Sequence, residues 1–155
     1  MVSRWLNPAE ERLWRRYRRL VVLLEARLAG ELADATGLSM ADYTVLSALV
    51  EADDRRCRVT ALAEHMQWSQ SRLSHHLRRM EDRGLLRRRP AETDGRGAVV
   101  ELTRQGLRAI AAAAPIHFAG VREHMFDRLT TDQLEAFEKA MDAVLIPMLD
   151  DEESE

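Results

Sequence analysis

Two helices separated by only a few residues are predicted near the middle of this 155-residue chain. Thr60 can cap a helix over residues 61–66, because its hydroxyl can accept from the free N–H groups of the first turn. Ser69 can cap a second helix that runs to Arg83 and is closed by Gly84. The arrangement predicts a helix-turn-helix.

The second helix of this pair has one apolar side and one strongly polar side. Leu73, Leu77 and Met80 recur at helical spacing and form an apolar stripe, while serine, arginine and histidine occupy the other positions. We expect this helix to pack through the stripe and to offer hydrogen-bond donors on its other face.

A β-hairpin is predicted directly after the second helix. Residues 85–89 and 98–102 have the composition of strands, and the segment 90–97 between them is rich in turn-forming residues. A helix-turn-helix followed by such a hairpin predicts a winged helix-turn-helix.

Further helices are predicted on both sides of this unit. Asn7 and Glu10 have the spacing of a capping box, and apolar residues then recur at helical spacing until the breaker Gly37. Capping signals at Ser39, Thr103 and Thr130 begin three more helices. The predicted fold class is therefore mainly α (α+β), with one hairpin wing and an acidic tail over 150–155 that we expect to be frayed.

Charge is distributed unevenly along the chain, although the net charge is only −3. Residues 55–108 contain 13 arginines and 6 acidic residues, an excess of seven positive charges. Residues 109–155 contain 3 basic and 11 acidic residues, an excess of eight negative charges. A basic middle between acidic ends is typical of a module that binds a polyanion, although a solvated charged surface would give the same pattern.

Composition argues against several other classes of protein. No apolar run approaches the roughly 18 residues of a membrane span, and the first residues do not have the pattern of a secretory signal. We therefore expect a cytoplasmic protein without a membrane partner. No pattern of a catalytic triad, a phosphate loop or a cofactor site is visible, so we expect neither an enzyme nor a cofactor.

The single cysteine, Cys57, excludes an internal disulfide and a multi-thiolate zinc site. Arg56 and Arg58 flank it and would lower the pKa of its thiol, which leaves a redox-responsive role open. His117 and His124 are seven residues apart, too far to hold one metal ion directly, so we expect no metal site.

Several segments together resemble the MarR family of bacterial transcription regulators. The resemblance covers nearly the whole chain and rests on Leu62-Ala63-Glu64, Trp68 to Leu77, Met80 to Leu85, Asp94 to Gly97 and Leu102-Thr103. It implies one domain over 1–155, with dimerisation helices at about 1–37 and 104–149 around a winged helix-turn-helix at 38–103. It also implies a homodimer.

A helix fits the major groove of B-DNA, so the first turns of the second helix are expected to reach base edges and the later turns and the wing to reach phosphates. The predicted DNA-binding residues on the helix and the first wing strand are Ser69, Gln70, Ser71, Arg72, Ser74, His75, His76, Arg78, Arg79, Arg87 and Arg88.

Asp94 and Arg96 at the tip of the wing match an Asp-x-Arg feature of the family. The resemblance implies that the arginine probes the minor groove and that the carboxylate orients it. The alternative is an ordinary turn with a surface arginine.

A symmetric dimer would present two such helices to consecutive major grooves roughly 34 Å apart, so the predicted partner is double-stranded DNA with a pseudo-palindromic operator. Apolar residues from Leu13 to Leu28 and from Leu134 to Met148 are expected to supply much of the dimer interface.

The resemblance also implies a small aromatic or anionic effector that releases a repressor from DNA by a population shift. Aromatic or titratable residues near the expected cleft are Trp14, Tyr17, Tyr43, Trp68, His117 and Phe118. Two alternatives remain open: a winged-helix module that binds proteins without binding DNA, and a regulator that responds to oxidation of Cys57.

Overall fold

A computed structural model describes residues 5–91 and 97–153. These ranges contain six α-helices and a three-stranded antiparallel sheet, which confirms the predicted mainly α, winged helix-turn-helix fold. In chain order the elements are α1 (Pro8–Thr36), α2 (Met40–Glu51), β1 (Arg56–Arg58), α3 (Val59–His65), α4 (Gln70–Asp82), β2 (Leu86–Pro90), β3 (Ala98–Leu102), α5 (Arg104–His124) and α6 (Thr131–Glu153), with 3-10 turns at Asp53–Arg55 and Phe126–Arg128.

The first helix begins at the predicted capping box. The side-chain oxygen of Asn7 accepts from the N–H groups of Ala9 (2.9 Å) and Glu10 (3.0 Å). The Glu10 carboxylate in turn accepts from the Asn7 N–H at 2.8 Å. At the other end, Gly37 adopts φ 71°, a left-handed conformation that favours glycine and ends the helix.

Side-chain caps also begin four later helices, as predicted. At the start of α5, the Thr103 hydroxyl accepts from the Gly106 N–H at 3.0 Å. Ser39 and Ser69 cap α2 and α4, and Thr130 accepts from the backbone at the start of α6. The predicted cap at Thr60 is wrong. The helix α3 already begins at Val59, and the residue before it makes no side-chain capping bond.

The sheet has the order β1-β3-β2, so β3 lies between two antiparallel neighbours. Val100 in β3 is paired with Cys57 of β1 on one side and with Arg88 of β2 on the other. The hairpin of β2 and β3 was predicted. The short strand β1 was not, because its three residues lie in a polar stretch and are ordered by pairing with residues more than 40 positions away.

The core lies between the sheet and the helices of the winged unit. The predicted apolar stripe of α4 is completely buried: Leu73, Leu77 and Met80 are 0% exposed. The stripe packs with other fully buried side chains from α1, α2, α3, β2 and β3, namely Leu32, Val45, Leu46, Leu49, Leu62, Leu86 and Val100.

The start of α5 is packed tightly against the turn that joins α4 to β2. The Thr103 hydroxyl donates to the carbonyl oxygen of Gly84 at 2.7 Å, and the Thr103 N–H donates to the carbonyl oxygen of Leu85 at 3.2 Å. One turn later, a Cβ atom on Gly106 would overlap the same Leu85 oxygen. Glycine is therefore required here for a close approach of helix and turn.

Residues 119–155 form a compact unit separate from residues 1–118. Within it, Arg122 Nε lies 3.1 Å from the Asp127 carboxylate beside the 3-10 turn, and α6 follows. The helix continues to Glu153, past Asp150, where the acidic tail was expected to begin. Within the described ranges, no helix is both long and apolar enough to cross a bilayer.

Candidate nucleic-acid interface

The outward face of α4 carries the polar residues that the sequence predicted. Burial of the apolar stripe fixes the rotation of the helix, and the positions between the stripe residues therefore face solvent. Most of the predicted residues on α4 and at its cap are exposed, and Ser74 is half-buried: Ser69, Gln70, Ser71, Arg72, Ser74, His75, Arg78 and Arg79.

A shallow groove runs between this face and the wing. Four α4 residues line it together with Arg88 of β2, and its volume is about 260 Å³: Ser71, Ser74, His75, Arg78 and Arg88. The lining combines hydroxyls, an imidazole and two guanidinium groups without a carboxylate. Such a set donates hydrogen bonds to phosphate oxygens and to base edges.

Arg88 is held in place by Glu81 near the end of α4. Its backbone N–H donates to the Glu81 carboxylate at 2.9 Å, and its Nε donates at 3.0 Å. These bonds lower the pKa of Glu81, and the bond from the Arg88 backbone has the largest effect. The pair connects the wing to α4 and fixes the position of the arginine beside the groove.

Arg87 points to the opposite face of the sheet, where it meets Glu101 of β3. Its Nε donates to Oε2 of the Glu101 carboxylate and a terminal nitrogen donates to Oε1, each at 2.8 Å. Arg89 at 3.2 Å and Arg56 at 3.8 Å approach the same carboxylate. The hydrogen bonds of Arg87 lower the pKa of Glu101. A phosphate contact by Arg87 would therefore compete with a bidentate ion pair.

His76 is the predicted DNA-contacting residue that the structure contradicts. Its side chain is 9% exposed and faces inward, so it is not available to a phosphate. Arg79 donates to its Nδ1 at 3.1 Å. A guanidinium has no acceptor, so a hydrogen bond at this contact requires the lone pair on Nδ1 and the ring proton on Nε2.

The Nε2 atom of His76 lies 3.1 Å from Asp42 of α2. Its N–H is not aligned as a well-formed hydrogen bond, so the pair is a close polar contact between buried groups. Asp42 was not identified as a functional residue from the sequence. Its capping-box position gave a signal for the start of a helix but none for a partner on α4.

Asp42 also binds Arg83, whose terminal nitrogen donates to the carboxylate at 2.7 Å and to the Gly37 carbonyl oxygen at 3.1 Å. Burial alone would raise the pKa of Asp42, but the close contact with His76 and the hydrogen bonds from Arg83 and Ser39 outweigh burial and hold that pKa well below its ordinary value. One buried carboxylate thus connects the ends of α1 and α2 to the inner face of α4.

Trp68 was predicted to bind an effector, but its ring contacts lie elsewhere. The Arg72 guanidinium carbon is 3.9 Å from the ring centroid, and the His76 ring meets the indole edge-on at 5.6 Å. Both partners belong to α4. The indole is therefore part of the surface of the winged unit rather than of an aromatic effector cluster.

Three of the predicted effector residues lie together. The Tyr43 and His117 rings have centroids 4.5 Å apart, and His117 and Phe118 meet edge-on at 5.7 Å. Burial raises the pKa of Tyr43 and lowers the pKa of His117. The Nδ1 atom of His117 is buried without a hydrogen-bond partner among the described residues. We call this group the Tyr43 cluster.

Trp14 and Tyr17 form a separate pair on α1. Their rings are stacked with centroids 5.7 Å apart, and both side chains are about half exposed. No ring contact in the described part of the chain joins this pair to the Tyr43 cluster.

The expectation that Arg56 and Arg58 lower the pKa of Cys57 is wrong. Burial of the side chain raises the pKa of the thiol, and its Sγ lies 3.4 Å from the Arg58 carbonyl oxygen. A thiol with a raised pKa has less thiolate and reacts more slowly with oxidants. The local chemistry therefore does not favour a redox sensor.

Asp94 and Arg96, the predicted minor-groove pair, lie outside the described residues. Over 5–91 and 97–153, no group of three or more histidine, cysteine or acidic residues is placed to hold a metal ion.

The geometry of α4, the groove and the wing defines a winged helix-turn-helix surface of the kind that binds DNA. The sequence model of the MarR family matches residues 36–97. The transcriptional regulator HosA of Escherichia coli is 37% identical over 112 residues, which cover 72% of this chain and 78% of that protein.

Solved structures give the same result over most of the chain. AbsC, a MarR family transcriptional regulator from Streptomyces coelicolor, is 36% identical with a TM-score of 0.86, covering 94% of this chain and 98% of its own. Sco3205 of the same organism, solved in complex with DNA, is 37% identical with a TM-score of 0.85. The match covers 92% of this chain and 89% of Sco3205. This chain belongs to the MarR family of DNA-binding transcriptional regulators, and it is not an enzyme.

Proposed function

We propose that this chain acts in the cytoplasm as a homodimeric repressor that binds a pseudo-palindromic operator and is released by a small aromatic or anionic effector. The observation that carries the proposal is the exposed donor face of α4 beside the groove shared with Arg88. Base contacts are assigned to Gln70, Ser71, Arg72 and His75 on the first turns of the helix.

Phosphate contacts are assigned to Arg78 and Arg88, which line the groove. We also assign Arg79 and Arg87 to the phosphate backbone, although each already has a partner in the protein. Asp94 and Arg96 remain the proposed minor-groove pair at the wing tip.

Exposed apolar side chains support the homodimer. On α1, Leu13, Trp14 and Tyr17 are 69%, 51% and 45% exposed. On α6, Val144 and Met148 are 59% and 60% exposed. Apolar exposure of this extent along a helix is typical of a surface that a partner covers. A second copy related by a two-fold axis would cover both sets and place two α4 helices on one face of the DNA.

The Tyr43 cluster supports the effector. Two aromatic rings and an imidazole offer a stacking surface, and the unpartnered His117 Nδ1 offers one directional hydrogen bond. An aromatic ring that carries a hydroxyl or an acid group matches this combination. Its binding would act by favouring a conformation in which the two α4 helices do not fit the operator.

Selection of bound sequences from random DNA tests the first part of the proposal. We expect a pseudo-palindrome whose half-sites are one helical turn apart. With about 6 phosphate contacts, the logarithm of affinity should fall with the logarithm of salt concentration at a slope of about −5. Binding that ignores both sequence and salt would contradict the proposal and favour the protein-binding alternative.

Two arginine variants sharpen this test. Arg78→Ala removes a groove guanidinium and should make the salt slope shallower by about 1. Arg122→Ala is the matched control, because Arg122 is exposed and paired with Asp127 outside the winged unit. Equal effects of the two substitutions would show that the groove has no special role.

The effector is tested by a thermal-shift screen of aromatic carboxylic acids. Compounds that stabilise the protein should also weaken operator binding, and His117→Ala should reduce both effects. A compound that dissociates DNA equally well from the His117→Ala variant would place the effector site elsewhere.

A further inference from the structure

The indole of Trp68 occupies a defined position between two side chains of α4. Trp68 belongs to the turn before the helix, where Gln67 has φ 52° and the Trp68 N–H donates to the Ala63 carbonyl oxygen at 2.9 Å. One ring face meets the Arg72 guanidinium at 3.9 Å, and the ring of His76 approaches edge-on at an interplanar angle of 88°. The indole is thus fixed both by its backbone and by its neighbours.

Arg72 is restrained in a different way from the wing arginines. Arg87 and Arg88 are held by carboxylates, which neutralise their charges. Arg72 is held by an aromatic face, and within the described ranges no carboxylate pairs with it. All five N–H donors of a guanidinium lie in its plane, so a guanidinium that lies flat on the indole keeps its donor edge available.

Behind the indole, each ring nitrogen of His76 has a polar neighbour. Arg79 donates to Nδ1 at 3.1 Å, and Asp42 lies 3.1 Å from Nε2. His76 is therefore a fixed support for the edge of Trp68. A series of side-chain contacts, from Asp42 through His76 and Trp68 to Arg72, therefore runs from the buried start of α2 to the exposed start of α4.

We propose that Trp68 is a positioning residue that holds Arg72 ready to bind guanine in the operator, with His76 as the support of the indole. This inference rests on the proposed base contact by Arg72. A free arginine side chain has many rotamers, and ordering it on binding opposes association. Stacking on Trp68 restricts those rotamers before DNA arrives. Its planar donor edge then matches the O6 and N7 acceptors of guanine.

The test compares affinity for the selected operator with affinity for unrelated duplex DNA in four variants: Trp68→Leu, Trp68→Phe, Arg72→Ala and the double variant Trp68→Leu/Arg72→Ala. Leucine keeps an apolar side chain but has no ring face for the cation. We expect Trp68→Leu to weaken operator binding about three- to tenfold and to leave binding to unrelated DNA within about twofold. Trp68→Phe, which keeps a ring face, should restore most of the operator affinity.

The double variant should bind the operator no more weakly than Arg72→Ala alone, because Trp68 acts through Arg72. Equal losses of Trp68→Leu on operator and unrelated DNA would overturn the inference, since they would show a merely structural role. Unchanged operator affinity would overturn it too. If Arg72→Ala leaves the preference for guanine intact, the proposed base contact of Arg72 fails. If Arg72→Ala lowers operator affinity but Trp68→Leu does not, the base contact stands and the positioning role of Trp68 fails.

A fluorescence measurement covers the case in which Trp68→Leu does not fold. In a Trp5→Phe/Trp14→Phe background, Trp68 is the single tryptophan of the chain. Arg72→Ala should change its emission intensity in the absence of DNA, because the guanidinium lies against the indole. Identical emission with and without the Arg72 side chain would show that the contact is not populated in solution.

Discussion

Replacing Asp42 by alanine should destabilise the protein by about 3 kcal/mol. The buried Nε2 of His76 would lose its close polar contact with the Asp42 carboxylate, which costs about 1–3 kcal/mol. Loss of the bond to Arg83 contributes about 1 kcal/mol, because that side chain is 43% exposed and solvent replaces part of the interaction. Loss of the cap on the Ser39 N–H adds about 0.5–1 kcal/mol.

For a chain of 155 residues, each kcal/mol corresponds to a change of roughly 2–4 °C in Tm. We therefore expect Asp42→Ala to lower Tm by about 6–12 °C, measured by circular dichroism at one fixed protomer concentration. Glu51→Ala is the matched control: it removes an exposed carboxylate from the same helix and should change Tm by less than about 2 °C. If the two variants melt at the same temperature, Asp42 does not join α2 to α4 as described.

Three further results are expected. The pKa of Asp42 is depressed in the folded state, so the stabilisation of the fold by its carboxylate is complete above the ordinary aspartate pKa and is lost as pH falls from about 5 towards 2. Urea titrations across this pH range should show a smaller fall in the free energy of unfolding for Asp42→Asn than for the unchanged protein. Gly106→Ala should destabilise the protein by several kcal/mol or prevent folding, because a Cβ there would overlap the Leu85 carbonyl oxygen. Gly30→Ala, where a Cβ meets open space, should stabilise α1 by about 0.5–1 kcal/mol. Equal melting curves of the two variants would refute the close approach of α5 to the turn before β2. Glu101→Gln should release Arg87 and Arg89 and tighten binding to unrelated DNA with a steeper salt slope, and a mobility shift that shows no change would contradict this.

The parts of the fold that were predicted correctly depend on interactions between residues close in sequence. Capping at Asn7, Ser39 and Ser69 involves residues no more than three positions apart, so the sequence contains the whole interaction. The apolar stripe of α4 was equally clear from its spacing. By contrast, β1 is ordered only by pairing with β3, and three residues of the sequence Arg-Cys-Arg carry no strand pattern of their own.

The site shows the same division. His76 is three residues after Leu73 and four before Met80, so helical spacing places it beside the buried stripe rather than with His75 on the exposed face. The spacing alone therefore indicates that His76 is buried. The partner of His76 could not be predicted, because Asp42 lies 34 positions earlier and meets it only in the folded chain.

The close packing at Gly106 has a mechanical consequence for regulation. With Thr103 bonded to Gly84 and no room for a side chain between helix and turn, the first turn of α5 and the end of α4 must move together. His117 lies 13 residues after Arg104, the first residue of α5, which is about 20 Å at 1.5 Å per residue. If α5 moves as a rigid body about its first turn, a displacement of His117 by about 2 Å corresponds to a rotation of roughly 6°, and the end of α4 would turn with it.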